Sequence, residues 1–328
     1  WTKAFFETKP GLRHAVNAKI FIMCFGGIDN ARMMLSINEK YRDQIGNSFD
    51  NVGRYFMDHP VVRAANFFPH QKERFDFYQG SNLNDRLVLG FFQFRRKMLL
   101  DHGLNNLRMP LSPASHYLLS DGISSHHILT GSLANGELPD HFGTHILNYV
   151  KDLDMVAEAI SRKAFKKPLF GDADEFGGYQ VPLMMEQTPN RDSRITLGDN
   201  RDAFGVRRVK VDWKLSQSDK DQMWRGLELF ANEMGALALG RVKLLKERED
   251  RLWESQLGYG HHHMGTTRMS HTAKKGVVDL NHKVFGTHNL FLGGSSVFPT
   301  GGHVPPTLTI VAMSIRLAEM IRGAAANG

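Results

Sequence analysis

His261-His262-His263-Met264-Gly265-Thr266-Thr267-Arg268-Met269 and, farther along, Gly293-Gly294-Ser295-Ser296-Val297-Phe298-Pro299-Thr300 running into Pro306-Thr307-Leu308-Thr309 decide the reading of this chain. The second motif combines small residues, which let backbone approach a ligand closely, with hydroxyls able to hydrogen-bond phosphate or other ligand oxygens. Pro306-Thr307-Leu308-Thr309 opens an apolar helical pattern, so its free amides form a place for electron-rich groups. In the first motif the three histidines invite a metal reading. In strand geometry, however, neighbouring side chains alternate faces, and no Asp, Glu or Cys flanks them at a ligand spacing. No metal site is expected. A base is the better reading, because an unperturbed imidazole titrates near pH 6.5.

Working outward, residues 19–36 read as a continuous apolar strand, the turn Gly26-Gly27, and a helix from Asp29 to Ser36. Such a strand suits a parallel sheet covered on both faces, and the glycines let the helix start lie close beyond the strand end. Cys24, the single cysteine, falls in this run and reads as a buried structural thiol; it excludes an intramolecular disulfide framework. After Asn51-Val52-Gly53-Arg54-Tyr55-Phe56-Met57-Asp58-His59-Pro60 the pattern changes. Strands are expected at 61–68, 86–94, 106–111, 180–187 and 207–213, with one long amphipathic helix over 146–165. A second helix is expected from a Ser218 N-cap to Leu239, and a last one from Thr309 to Ala324, with Ala324–Asn327 frayed. Strands followed by helices imply an α+β fold: an α/β element pair at either end and an antiparallel sheet with helices between. The polar run Glu186–Leu197 reads as the lining of a polyol pocket or as a hairpin turn at Pro189-Asn190.

In this order the motifs resemble the glucose–methanol–choline (GMC) family of FAD-dependent oxidoreductases. Gly26-Gly27-Ile28-Asp29-Asn30-Ala31-Arg32 is similar to the end of that family's FAD domain, and Asn51–Pro60 to its boundary with the substrate domain. The resemblance implies FAD as cofactor, alcohol oxidation by hydride transfer, His262 as general base, and Gly26, Gly27, Gly294, Ser295, Pro306, Thr307 and Leu308 as cofactor contacts. It also implies a division into 1–58 (FAD-domain elements), 59–255 (substrate domain) and 256–328 (return to the FAD domain). Thr266-Thr267-Arg268-Met269 and Ser295–Thr300 resemble the sugar-oxidising branch of pyranose oxidases and fructose or glucoside dehydrogenases. Two features depart from the pattern. The family's second catalytic His or Asn falls on Pro305, which has no donor, so either His303 is the replacement or the activity is weakened or altered. No G-x-G-x-x-G dinucleotide fingerprint follows a strand. The expectation is therefore a C-terminal portion, or one subunit, of a longer enzyme whose remaining segment or partner chain supplies the fingerprint. A non-catalytic substrate-binding or scaffold subunit is the alternative.

The 328 residues are 41% hydrophobic and 23% charged, enough for a large core, with a net charge of +7. The basic runs Arg95-Arg96-Lys97, Lys166-Lys167 and Lys274-Lys275 are short and scattered, so no nucleic-acid partner is expected. No stretch approaches the ~20 apolar residues of a membrane span, and the compartment stays open.

Overall fold

The computed structural model describes residues 1–42, 44–245 and 257–326. An exposed hairpin, β1 (Lys3–Lys9) and β2 (Leu12–Asn17), precedes β3 (Phe21–Met23) and α1 (Gly26–Tyr41). The middle of the chain contributes β4 (Pro60–Pro69), the small hairpin β5 (Ser81–Leu83) and β6 (Arg86–Val88), β7 (Phe91–Phe92), β8 (Leu107–Pro110), β9 (Ser112–Ser115) and β10 (Phe176–Met185). Helices α2 (Arg96–Asp101), α3 (His116–Leu119), α4 (Asp121–Ala134), α5 (Phe142–Lys151) and α6 (Leu153–Phe165) lie among them. Then follow the hairpin β11 (Arg194–Arg201) and β12 (Arg207–Asp212), α7 (Gln217–Ala236), β13 (Gly240–Leu244), β14 (Gly258–Tyr259), β15 (Leu290–Leu292) and α8 (Thr307–Ala326).

Two apolar cores organise these elements, and the fold is α+β. The first is a seven-stranded sheet in the order β13-β4-β10-β8-β7, with β14 beside β4 and β9 beside β10. Every pairing in it is antiparallel. Helix α7 covers it with Met223, Leu227, Phe230 and Met234, spaced three or four residues apart on one stripe. Phe67, Tyr179 and Phe230 are almost entirely sequestered at its centre. The second core gathers Met34 of α1, Leu290 and Leu292 of β15, and Met57, Met264, Val277, Val284 and Val297 from loops. Here β15 and β3 run parallel, Leu290 opposite Phe21. Among the described residues no helix is long and apolar enough to cross a membrane.

Several expectations need correction. The strand before Gly26 is three residues long, and Ile22 (46%), Phe25 (56%) and Cys24 are exposed, so Cys24 is not a buried thiol. Among the described residues β15 is the one strand paired with β3, and exposed Ile22 leaves one face of β3 uncovered. Helix α1 starts at Gly26 and runs to Tyr41. The expected strand 86–94 is broken into β6 and β7. The single helix over 146–165 is two, interrupted at Asp152 (φ −112°, ψ 40°), whose carboxylate accepts from Ser120 Oγ at 2.8 Å and Gly122 N–H at 3.0 Å. Of its expected apolar positions Val156 is buried, whereas Ile146, Val150, Leu153 and Ile160 are exposed. Beside Val156 and Ala159, the buried face carries His145, paired with Ser125, and Glu158, which accepts from the Leu169 and Phe170 amides. Polar groups go inside there because each has a partner. Helix α8 begins two residues before the expected Thr309, and Ala324–Ala326 continue it rather than fray, whereas Asn327 lies outside the described residues.

Helix α7 is capped by Ser216 rather than Ser218. The Ser216 hydroxyl accepts from Asp219 N–H, and the Asp219 carboxylate accepts from Ser216 N–H at 2.8 Å, a reciprocal capping box. Ser216→Ala is expected to cost about 1 kcal/mol of stability, the usual worth of an N-cap, and Ser218→Ala distinctly less. Urea midpoints of the two variants measure the difference.

Candidate active site

The segment 261–269 lies between two others. Met57 and Met264 exchange backbone hydrogen bonds at 3.0 and 2.9 Å. Gly265 and Thr267 N–H donate to Ser295 and Ser296 C=O, and Met269 N–H to Val297 C=O. The histidines at its head do not form a strand: His261 is left-handed (φ 57°), so strict alternation of faces does not apply. His261 packs against the Tyr259 ring, whereas His262 and His263 both approach Asp58.

Asp58, 2% exposed, anchors this locus. Its Oδ1 accepts the His59 N–H at 2.6 Å and the His262 N–H at 2.9 Å, and His263 Nε2 lies 3.8 Å from Oδ2. His59 is fully buried; its Nδ1 is 2.9 Å from His262 Nδ1, and its Nε2 is 3.4 Å from Gly301 C=O. Asp58, His59 and His262 present possible metal-ligand atoms within 4.8 Å of one another, the one such trio found among the described residues. A 2.9 Å nitrogen–nitrogen separation is that of a shared proton. Behind this group, Gln187 Oε1 accepts from Asp58 N–H and from Trp213 Nε1.

His303 sits in the loop before α8 and has no hydrogen bond to His262 among the described residues. It shares that loop with Gly301 and Gly302, and Gly302 N–H donates to Glu186 Oε1 at 3.1 Å. Pro305 is exposed. Burial holds the pKa of His59, His262 and His303 below the ordinary imidazole value, and the positive charge of Arg108 on β8 pushes each further down. In His59 the neighbouring His262 adds to the lowering. Arg108, itself lowered by burial, rests on Met184 Sδ and the Phe91 ring.

The glycine motifs meet on the other side of His263. Helix α1 starts without a side-chain cap. At Gly27 an added Cβ would lie 2.2 Å from His263 C=O, so only glycine lets α1 pack there. Thr266 Oγ1 donates to Gly27 C=O at 2.5 Å, and Ser295 Oγ to His263 C=O at 2.7 Å. Gly294 (φ 88°) faces Gly26, and a Cβ built on either finds no atom closer than 4.0 Å. An open, glycine-walled cradle therefore lies at the start of α1, suited to the close approach of a planar or phosphorylated ligand. Asn30 ties its walls together, donating to Gly293 C=O at 2.9 Å and Ser296 Oγ at 2.8 Å while accepting from Phe25 N–H. Gly26, Gly27, Gly294 and Ser295 are thus brought together. Pro306, Thr307 and Leu308 lie at the start of α8, where the Leu308 side chain is 82% exposed.

The run Glu186–Leu197 divides. Glu186 turns toward Gly302 and Asn106, whereas Asn190, Asp192 and Arg194 line a polar groove with Arg54, Trp213 and Lys214 that none of the histidines enters. His59, Asp58 and Arg108 had no role in the sequence reading. Asp58-His59-Pro60 stood in a motif, but its contact with His262 spans 203 positions.

Residues 189–314 match the family model described as GMC oxidoreductase. This region belongs to the GMC oxidoreductase family. Over 97% of its length the chain is 23% identical to 2-methyl-1,2-propanediol dehydrogenase of Mycolicibacterium austroafricanum, covering 50% of that protein. It is 21% identical to the fructose dehydrogenase large subunit of Gluconobacter japonicus over 94% of the chain and 48% of the relative. Pyranose 2-oxidase of Emericella nidulans is 33% identical over 40% of the chain and 22% of that protein. Pyridoxine 4-oxidase from Mesorbium loti shares the fold, with a TM-score of 0.51 at 13% identity over 95% of this chain and 53% of that one. The chain spans about half the length of the curated relatives it matches along its whole length.

Stability should report the buried imidazoles. His59, His126, His262, His282 and His303 all have folded-state pKa values lowered first by burial. The unfolded chain takes up protons near pH 6.5 while the folded chain does not, so their contribution is complete above that pH and lost as pH falls through the lower folded values. The urea midpoint is expected to drop between pH 8 and pH 5.5; a flat or rising midpoint would contradict it.

Proposed function

We propose that the chain is the substrate-side portion of a GMC oxidoreductase that oxidises an alcohol with FAD, and that His262 is the general base. One observation carries this reading: His262, held below its ordinary pKa in the segment matched by the family model, directly precedes His263, whose carbonyl packs against the open glycine cradle. Gly26, Gly27, Gly294 and Ser295 would hold the flavin end of FAD, with the start of α8 at Pro306–Leu308 as a further contact. FAD, when bound, supplies the hydride acceptor. The protein's own work is to receive the hydroxyl proton at His262 and to hold the oxygen left behind. His303, which feels the charges of both Glu186 and Arg108, is our candidate to help hold that oxygen where Pro305 cannot. The substrate is a small alcohol, and a sugar or glycoside is our preferred class, as in the fructose and pyranose enzymes to which the chain is similar.

A partner chain or preceding segment with the nucleotide fingerprint completes the cofactor site in this reading. The support is physical: a two-stranded parallel sheet is not stable alone, and Ile22, Phe25, Val311 (48%) and Ile315 (56%) are exposed. A non-catalytic substrate-binding or scaffold subunit is the second reading, favoured by Pro305 and by the lack of a dinucleotide fingerprint in this sequence.

Titration of the chain alone with FAD is expected to show weaker than micromolar binding, because the pyrophosphate lacks its glycine loop and helix start. Tight binding would mean the cofactor site is already complete. In the completed enzyme, His262→Ala should slow bleaching of the oxidised flavin band by roughly 10²–10⁴-fold with flavin content unchanged. His261→Ala should cost far less. His303→Ala should approach the His262→Ala loss, and Pro305→Asn should restore part of it. A completed protein that holds no FAD under any condition would favour the non-catalytic reading.

A further inference from the structure

Which nitrogen of His262 carries the proton decides whether it can act as a base, and His59 determines this. A backbone carbonyl only accepts, so the contact from His59 Nε2 to Gly301 C=O needs a proton on Nε2. A neutral imidazole has a single N–H, which leaves His59 Nδ1 as a lone pair. The 2.9 Å contact between the two Nδ1 atoms must then be donated by His262. His262 Nε2 is left with its lone pair free, and no hydrogen bond among the described residues occupies it.

The opposite arrangement is disfavoured. It would aim two lone pairs at each other between His59 Nε2 and Gly301 C=O. Protonating both rings is opposed by burial, by the proximity of the two imidazoles, and by Arg108. Asp58, which draws the other way electrostatically, fixes the geometry through the backbone N–H groups of His59 and His262. The remaining charged or titratable neighbours, His261 and His263, add to the lowering at His262. The rings meet edge to edge, centroids 5.0 Å apart and planes 73° apart, and His59, fully buried, cannot turn away without opening the core.

We propose that His59 is a positioning residue: by accepting from His262 Nδ1–H it locks His262 in the Nδ1–H tautomer and keeps Nε2 free to take the substrate's proton. The proposal rests on His262 being the base, but its primary test does not. In the protein labelled with ¹⁵N-histidine, long-range proton–nitrogen correlation at pH 8 assigns the neutral tautomers without FAD or substrate. His262 is expected as Nδ1–H and His59 as Nε2–H; His262 found as Nε2–H, the form that free imidazole side chains favour in water, overturns the proposal. His59→Gln keeps an oxygen acceptor and should preserve the His262 tautomer, whereas His59→Phe should return it to Nε2–H. An unchanged tautomer in a folded His59→Phe overturns the proposal as well. Should His59→Phe fail to fold, the unmodified protein and His59→Gln still decide.

In the completed enzyme the tautomer should appear in the rate. His59→Phe should lower kcat on the order of 10²-fold with KM little changed, as expected for a base left in the wrong tautomer. His59→Gln should recover at least tenfold of that loss. If the tautomers are as proposed but His262→Ala leaves turnover intact, the base assignment fails while the His59–His262 device stands.

Discussion

The geometry of the candidate site depends on how residues 264–269 are zipped by backbone hydrogen bonds between Met57 on one side and Ser295–Val297 on the other. The ladder is short, but every segment in it is buried, and Met57, Met264, Thr266, Thr267, Ser296 and Val297 have no exposed surface. A buried amide without a partner costs more than the net worth of a typical hydrogen bond, so these segments have little freedom to slide. The arrangement places the histidines against Asp58 and the glycine cradle against His263, which are the two halves of the candidate site. Gly53 N–H reaches Thr266 C=O in the same ladder, joining segments from the two ends of the chain.

Much of this was legible because short motifs carried it. Gly27 and Gly294 are glycines for reasons that the structure makes concrete, a 2.2 Å approach to a carbonyl at one and a positive φ at the other. The strands over 60–69, 107–110, 176–185 and 207–212 were readable from alternation and β-branched or aromatic content. What could not be read was pairing across distance. His59 and His262 meet over 203 positions, and nothing local in Asp58-His59-Pro60 distinguishes a ring beside a base from a buried histidine of the core. Nor does a hydrophobic period tell which face of a helix is covered. Ile146, Val150, Leu153 and Ile160 follow the helical repeat, yet α5 and α6 turn His145 and Glu158 inward because Ser125, Arg162 and two backbone amides satisfy them. Ser218 looked like a cap from its place ahead of two aspartates. Ser216 caps because its spacing to Asp219 closes both bonds of the box.

The electrostatics of the site follow from burial more than from pairing. His59, His262 and His303 share one cationic neighbour, Arg108, and burial is the leading cause of the lowered pKa in each. A base that must be unprotonated at neutral pH is served by such surroundings, because desolvation and a nearby positive charge both disfavour the imidazolium. The same surroundings make that imidazolium costly once it forms, and the one nearby carboxylate that opposes the cost at His262 is Asp58. Asp58 is therefore placed to do two things at once. It fixes the backbone of both histidines through Oδ1, and its charge offsets part of the penalty of protonating His262.

The contrast between the two cores bears on the proposed partner chain or preceding segment. The sheet core is closed: α7 covers it, and Phe67, Leu183, Met223 and Leu227 have no exposed surface. Near the second core Ile22 and Phe25, next to the start of α1, and Val311 and Ile315, along α8, are exposed. Apolar surface of this kind is worth roughly 25 cal/mol per Å² when covered, so a docking segment would gain stability from the same face that brings it to the glycine cradle. Folding of the complete protein and completion of its cofactor site would then be one event, and the open face beside Gly26 would be the place where they are coupled.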